Sequence, residues 1–185
     1  MRAPRCASSP AGDTGADVNA AMPPLTIRDF RAADAAQINR IAVAAFGQYQ
    51  ADFSDWPAMS AALAQMSALQ GNSEIIVGEA DGTVLGAVAY VPPGYAKAAH
   101  FDQAWPIIRT LVVDPACRGR GAGRALTEEC IVRAKRDRSP VIALHTSPIM
   151  TVALPMYLRM GFERLRDAPT NHGVPYAVYL KRLAS

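Results

Sequence analysis

With 185 residues, half of them hydrophobic and 19% charged, the chain has room for one well-packed domain and is short for two. A net charge of +3 is too mild to argue for nucleic-acid binding, and no apolar run approaches the ~20 residues that a membrane helix requires. Cys6, Cys117 and Cys130 show neither CxxC spacing nor a nearby His, which argues against a disulfide framework or a zinc site and fits a reducing, cytoplasmic compartment.

Residues 1–23 are rich in small residues and proline and lack a hydrophobic segment. They read as a disordered tail rather than a signal peptide, leaving residues 24–185 as a single domain. "LTIRDF" alternates Leu25, Ile27 and Phe30 and predicts a first strand. "DAAQINRIAVAAF" then spaces Ile38, Ile41, Val43 and Phe46 as a helix does, with Asp34 as its cap. Ser54 is a candidate cap for a second helix carrying Met59, Leu63 and Met66. "SEIIVGEADGTVLGAVAYV" is a hairpin pattern, two apolar runs around Asp81-Gly82.

A looser stretch with Tyr95, His100, Phe101 and Trp105 leads into "IIRTLVVDP", a buried strand closed by Pro115. A helix is predicted from Ala122 to Arg138. Its inward stripe is Gly123, Leu126, Thr127, Cys130, Ile131 and Ala134, with Glu129 and Arg133 paired on another face. "SPVIALHTS" is the next strand. "TVALPMYLRMGF" becomes helical towards its end, with Pro155 forcing a kink or a late start. "DAPTNHGVP" reads as a loop before a last strand, "YAVYLKRL". Strands grouped first, then a strand-helix-strand unit, indicate an α/β domain with a mixed sheet.

Between the buried strand and its helix lies "RGRGAGR", with three glycines and three arginines from Arg118 to Arg124. From Arg118 to Arg138 seven basic residues face three acidic ones, so positive charge is concentrated here, as suits one anionic ligand. Backbone N–H groups at a helix start are unpaired and partly positive, and glycine lets an anion approach. Two phosphate loops are excluded. A Walker A loop ends in Gly-Lys-Ser/Thr, but Gly123 is followed by Arg124 and Ala125. A dinucleotide fingerprint is G-x-G-x-x-G, but here the glycines are 119, 121 and 123.

"LVV", "DP" and R-G-x-G-x-G opening a helix resemble the pyrophosphate-binding motif of the GNAT superfamily of acetyl-CoA-dependent N-acetyltransferases. Downstream, "ALPMYLRMGF" is similar to that family's A-x-x-L-Y-x-x-x-G-F signature, with Ala153, Met156, Tyr157, Gly161 and Phe162 in register. The resemblance implies a mixed, mostly antiparallel central sheet with helices on both faces, splayed at its two central parallel strands. It implies acetyl-CoA as cosubstrate, no metal, and transfer of the acetyl group to a primary amine by direct attack on the thioester. Arg118, Gly119, Arg120, Gly121, Ala122, Gly123 and Arg124 would hold the pyrophosphate. Leu111, Val112 and Val113 would pair with the pantetheine arm, with Ala153 and Met156 also on the cofactor side.

Tyr157 occupies the family position of the general acid that meets the leaving thiolate. The general base is open: the strand before the loop, Ile107 to Val113, carries none of the carboxylates common in relatives. Candidates are His145, with a suitable unperturbed pKa, Asp52, Asp55, Glu74 or a water chain. Met150 stands where many relatives carry an asparagine. The acceptor, a small molecule or a protein amine, would be recognised by the first helices, the aromatic loop and "DAPTNHGVP". A homodimer is open, since dimers are common among such enzymes; membrane and nucleic acid are not expected partners. Two other readings stand beside transfer: a non-catalytic acyl-CoA-binding module, suggested by the missing carboxylate, and a toxin acetylating aminoacyl-tRNA.

Overall fold

In the computed structural model, which describes residues 24–184, seven strands form one sheet. The expected tail at 1–23 lies outside the described residues. In chain order the strands are β1 (Thr26–Asp29), β2 (Glu74–Ala80), β3 (Thr83–Val91), β4 (Ile107–Val113), β5 (Val141–Thr146), β6 (Glu163–Asn171) and β7 (Val174–Arg182). Across the sheet they run β1-β2-β3-β4-β5-β7-β6, every neighbouring pair antiparallel except β4 and β5. Helices α1 (Ala35–Phe46) and α2 (Trp56–Leu63) cover one face, while α3 (Ala122–Arg136) and α4 (Ala153–Arg159) cover the other.

The two-faced burial explains the apolar runs. Successive strand residues point to opposite faces, so a strand covered on both sides is hydrophobic throughout. Thus Ile75 and Val77 pack under α1 and α2, with Ile38, Ile41 and Leu63. Ile76 between them packs under α3, with Leu126, Cys130 and Ala134. The β2–β3 turn is the expected one: Asp81 (φ 48°) and Gly82 (φ 69°) are both left-handed, the twist that suits a two-residue hairpin.

The central feature is a splay. β4 pairs with β5 only at Ile107–Ala143 and Ile108–Leu144. Beyond this, one extra β4 residue enters the ladder with β3, between the pairs Ala89–Arg109 and Ala87–Val112. Thr110 there has φ 53°, outside ordinary strand geometry. Such a bulge bends its strand, and here it turns β4 away from β5. Gly86 lets the bent strand approach: a Cβ on it would collide with the Val112 carbonyl oxygen.

Several expectations are corrected. The cap of α2 is Asp55, whose carboxylate accepts from the Ala58 amide at 2.9 Å, not Ser54. Asp34 precedes α1 but makes no side-chain cap; it accepts from Arg28 at 2.7 and 2.9 Å and from the Arg31 amide at 2.7 Å. Helix α3 ends at Arg136, and Arg138 adopts φ 56°. "DAPTN" is the end of the edge strand β6, not a loop. The expected Glu129–Arg133 pair is present at 3.1 Å, and the buried Arg133 also bonds Asp29 and Glu74 at 2.6 Å each. Cys130 is a free, buried thiol.

Candidate active site

The glycine loop joins β4 to α3. Asp114 accepts from the Ala116 amide at 2.9 Å and sets the first turn after the strand. Gly119 (φ 80°) and Gly121 (φ 76°), the latter the N-cap of α3, are left-handed, and a Cβ on either would meet nothing within 4 Å. Glycine is therefore required by backbone conformation, and the space above the loop is open. Gly123 differs. It is helical, and a Cβ there would lie 3.5 Å from Val113 Cγ2 and 3.7 Å from Met156 Sδ, so α3 rests closely on β4 and α4. The first N–H groups of α3 have no intrahelical acceptors, which is the arrangement on which the expected anion seat at residues 118–124 rests.

The three arginines do not act alike. Arg118 donates to Gln48 Oε1 at 3.0 Å and to the Ala45 carbonyl at 3.3 Å, which ties the loop to α1. Arg124 pairs with Glu128 at 2.8 Å on the exposed face of α3. Arg120 has no hydrogen bond or ion pair with any described residue.

Where β4 leaves β5 a cavity of about 700 Å³ opens. Residues Ile107 to Leu111 of β4 and Leu144 to Thr146 of β5 line it, and Tyr157 stands in its wall on the α3/α4 face of the sheet. On the α1/α2 face the lining is Phe46, Met59, Leu63 and Met150, with Asn171, His172 and Tyr176 from the β6–β7 end. Past Ile108 the β5-facing edge of β4, which includes Leu111, Val112 and Val113, has no strand partner.

Tyr157 is buried, with its ring edge-on to Phe162 at 5.6 Å. No described residue bonds to its hydroxyl, and burial pushes its pKa well above that of an ordinary phenol. The group is protonated throughout the neutral range and has a proton to donate.

His145 lines the same cavity from β5, its Nδ1 3.2 Å from His100 Nε2, with the rings stacked at 5.2 Å. Burial, then the neighbouring charges of His100 and Arg109, push its pKa down to about 4. The ordinary imidazole basicity expected for a general base is therefore absent. The other candidates lie elsewhere. Asp55 caps α2, Glu74 is bonded to Arg133 and Arg136, and neither they nor Asp52 line the cavity. His100 and Phe101 of the aromatic loop do line it. Tyr95 is half exposed outside it, and Trp105 stacks under Arg166 at 5.7 Å. Sequence reasoning missed Arg109 and Tyr176; the signal for Arg109 was a lone charge within an otherwise apolar strand.

A sequence model of the acetyltransferase (GNAT) family matches residues 34–162, which include the bulged strand, the glycine loop and Tyr157. The chain belongs to that family. In a search of curated proteins no sequence matches this GNAT chain significantly. Among solved structures it is similar to a GCN5-related N-acetyltransferase from Rhodopseudomonas palustris (TM-score 0.68, 20% identity, 91% of this chain and 100% of that one). It is also similar to yncA from Salmonella typhimurium with its cofactor acetyl-CoA (TM-score 0.63, 22% identity, 86% and 94%). A third is the paia N-acetyltransferase of Thermoplasma acidophilum in complex with coenzyme A (TM-score 0.62, 16% identity, 86% and 99%). At these identities the likeness shows the GNAT fold. Among the described residues no cluster of His, Cys, Asp and Glu is placed to hold a metal ion, and no helix is long and apolar enough to cross a membrane.

Proposed function

We propose that this GNAT domain transfers an acetyl group from acetyl-CoA to a primary amine by direct attack on the thioester. The observation that carries the reading is the cleft at the β4–β5 splay. It has an anion seat at its donor end and an unpaired, protonated Tyr157 hydroxyl in its wall. Acetyl-CoA supplies the activated carbonyl carbon.

The protein's own contributions follow from the geometry. Loop amides 119–123 and the unpaired Arg120 hold the pyrophosphate, through charge-assisted hydrogen bonds where the arginine is concerned. The open edge of β4 from Leu111 to Val113 aligns the pantetheine amides as an added strand, which orients the thioester in the cleft. A backbone N–H of the bulged β4 meets the negative charge that gathers on the carbonyl oxygen. Tyr157 donates to the departing sulfur, whose own basicity burial also raises.

The amine must shed a proton to attack, and no Asp or Glu among the described residues lines the cavity to take it. The same surroundings that depress His145 disfavour any added positive charge, so an ammonium entering the cleft is pushed towards its neutral form. Water in the open cleft then carries the proton outward.

The test combines binding with turnover. Acetyl-CoA should protect the protein against thermal unfolding, and a broad panel of primary amines should include members that release CoA thiol at a saturable rate. The missing carboxylate favours a second reading, an acyl-CoA-binding module without turnover. Thermal protection with no thiol release across the panel would establish that reading in place of transfer.

A further inference from the structure

The charge of the cavity is one-sided. Although the chain carries 16 acidic residues, no described Asp or Glu lines the cavity, whereas Lys97 and Arg109 do. The two cations differ in what they have left to give. Lys97 Nζ donates to the Pro92 carbonyl at 3.2 Å and the Gln103 carbonyl at 3.0 Å, and so holds its own loop in place. Arg109 makes no hydrogen bond or ion pair with any described residue. Elsewhere in the fold Arg28, Arg133, Arg136 and Arg164 are all paired with carboxylates.

Arg109 is also on the acceptor side. Its neighbour Ile108 and the facing Leu144 pack in the core beneath α3 and α4. Alternation along the strands turns Arg109 and His145 to the opposite face, towards α1 and α2 and away from Tyr157. The α1/α2 wall on that face is apolar, with Phe46, Met59, Leu63 and Met66, while His100, Asn171, His172 and Tyr176 add neutral polar groups at its margin.

A second ammonium on the acceptor, as in a polyamine or a lysine-rich peptide, would find no carboxylate here and would be repelled by Arg109. An anionic group would find an unpaired guanidinium, whose planar fork binds carboxylates in bidentate fashion. Resting on the acetyl-transfer reading, we infer that the acceptor is an amine of amino-acid size. It carries a carboxylate, held by Arg109, and an apolar side chain set against the α1/α2 wall. Arg109 is then the specificity-determining residue. It also resolves a conflict in the cleft, because one positive charge attracts the substrate through its carboxylate while disfavouring protonation of its amine.

The experiment measures thiol release from acetyl-CoA with L-leucine, L-methionine and L-phenylalanine. These are set against 3-methylbutylamine, 3-(methylthio)propylamine and phenethylamine, which lack only the carboxylate, and against spermidine. The expected kcat/KM ratio favours each amino acid over its decarboxylated partner by about 10-fold or more, the scale of one lost charge-assisted hydrogen bond. Arg109→Gln should collapse that ratio through KM, and Arg109→Lys should restore part of it. Equal use of both sets, preference for spermidine, or a ratio that survives Arg109→Gln overturns the inference. Thiol release from none of these compounds counts against the transfer reading alone. The inference is then decided by calorimetry of the same probes on CoA-saturated protein. Tighter binding of the amino acids, lost in Arg109→Gln, upholds it, and no such difference overturns it.

Discussion

Arg118 donates to the Gln48 side chain at 3.0 Å, so the first arginine of the glycine loop is a strut between the loop and α1. Arg120, two residues on, is unpaired. Their substitutions should therefore separate. Arg120→Ala should weaken acetyl-CoA binding about 10-fold, the loss of roughly one charge-assisted hydrogen bond. Arg118→Ala should act mainly on the melting temperature of the free protein, by releasing the loop from α1. Calorimetric titration and thermal melts distinguish the two, and the reverse order would place the phosphates on the other flank of the loop.

Gly121 is left-handed with open space around its missing Cβ, so Gly121→Ala and Gly121→Glu carry the same backbone strain, about 1–2 kcal/mol for a non-glycine residue. They differ in what they put above the α3 N-terminus. Gly121→Ala should retain most of the thermal protection by acetyl-CoA, and Gly121→Glu should lose it while remaining folded by circular dichroism. Full protection in Gly121→Glu would remove this loop from the cofactor site.

What could be read before the structure was seen depended on how local its cause is. The hairpin at Asp81-Gly82 and the buried runs of β2 and β3 follow from backbone preference and from two-sided burial, which leave direct marks in composition. The left-handed loop glycines follow from backbone preference in the same way, whereas Tyr157 was singled out by its place in a motif and not by any property of the residue alone. Strand β6 was not. It is a sheet edge, largely exposed along both faces and carrying Pro169, so it shows no alternation and owes its extended form to pairing with β7. Only the Glu129 partner of Arg133 was legible, because Asp29 and Glu74 are remote in sequence. His145 looked like an ordinary imidazole because what depresses it, burial and the nearby His100 and Arg109, comes from the fold.

Tyr157→Phe removes one hydroxyl from a buried ring and leaves the packing on Phe162 intact. If that hydroxyl meets the leaving sulfur, kcat should fall on the order of 100-fold, the usual scale for a positioned proton donor, with little change in acetyl-CoA affinity. Stopped-flow or steady-state thiol release against equilibrium binding separates the two effects. A variant with unaltered kcat would assign Tyr157 to packing alone.

The depressed pKa of His145 makes a prediction about stability. Its ordinary value is 6.5, and in the folded protein it is pushed down to about 4, first by burial and then by the charges of His100 and Arg109. Between these values the unfolded chain binds the proton and the folded one does not. Stability is therefore fully present above pH 6.5 and declines as pH falls towards 4, by up to about 3 kcal/mol. His100, also held low by burial, adds in the same direction. Asp34 and Asp137, whose pKa values are lowered chiefly by hydrogen bonds from Arg28 and Arg136, lose their contribution only at still lower pH. The window just below neutrality thus belongs to the histidine pair. Urea midpoints measured from neutral pH to about pH 5 should drop in the wild type, and the drop should be clearly shallower in His145→Gln. Equal slopes would mean that His145 titrates like a solvent-exposed imidazole, and the proton route out of the cleft would then have to be redrawn around a charged histidine.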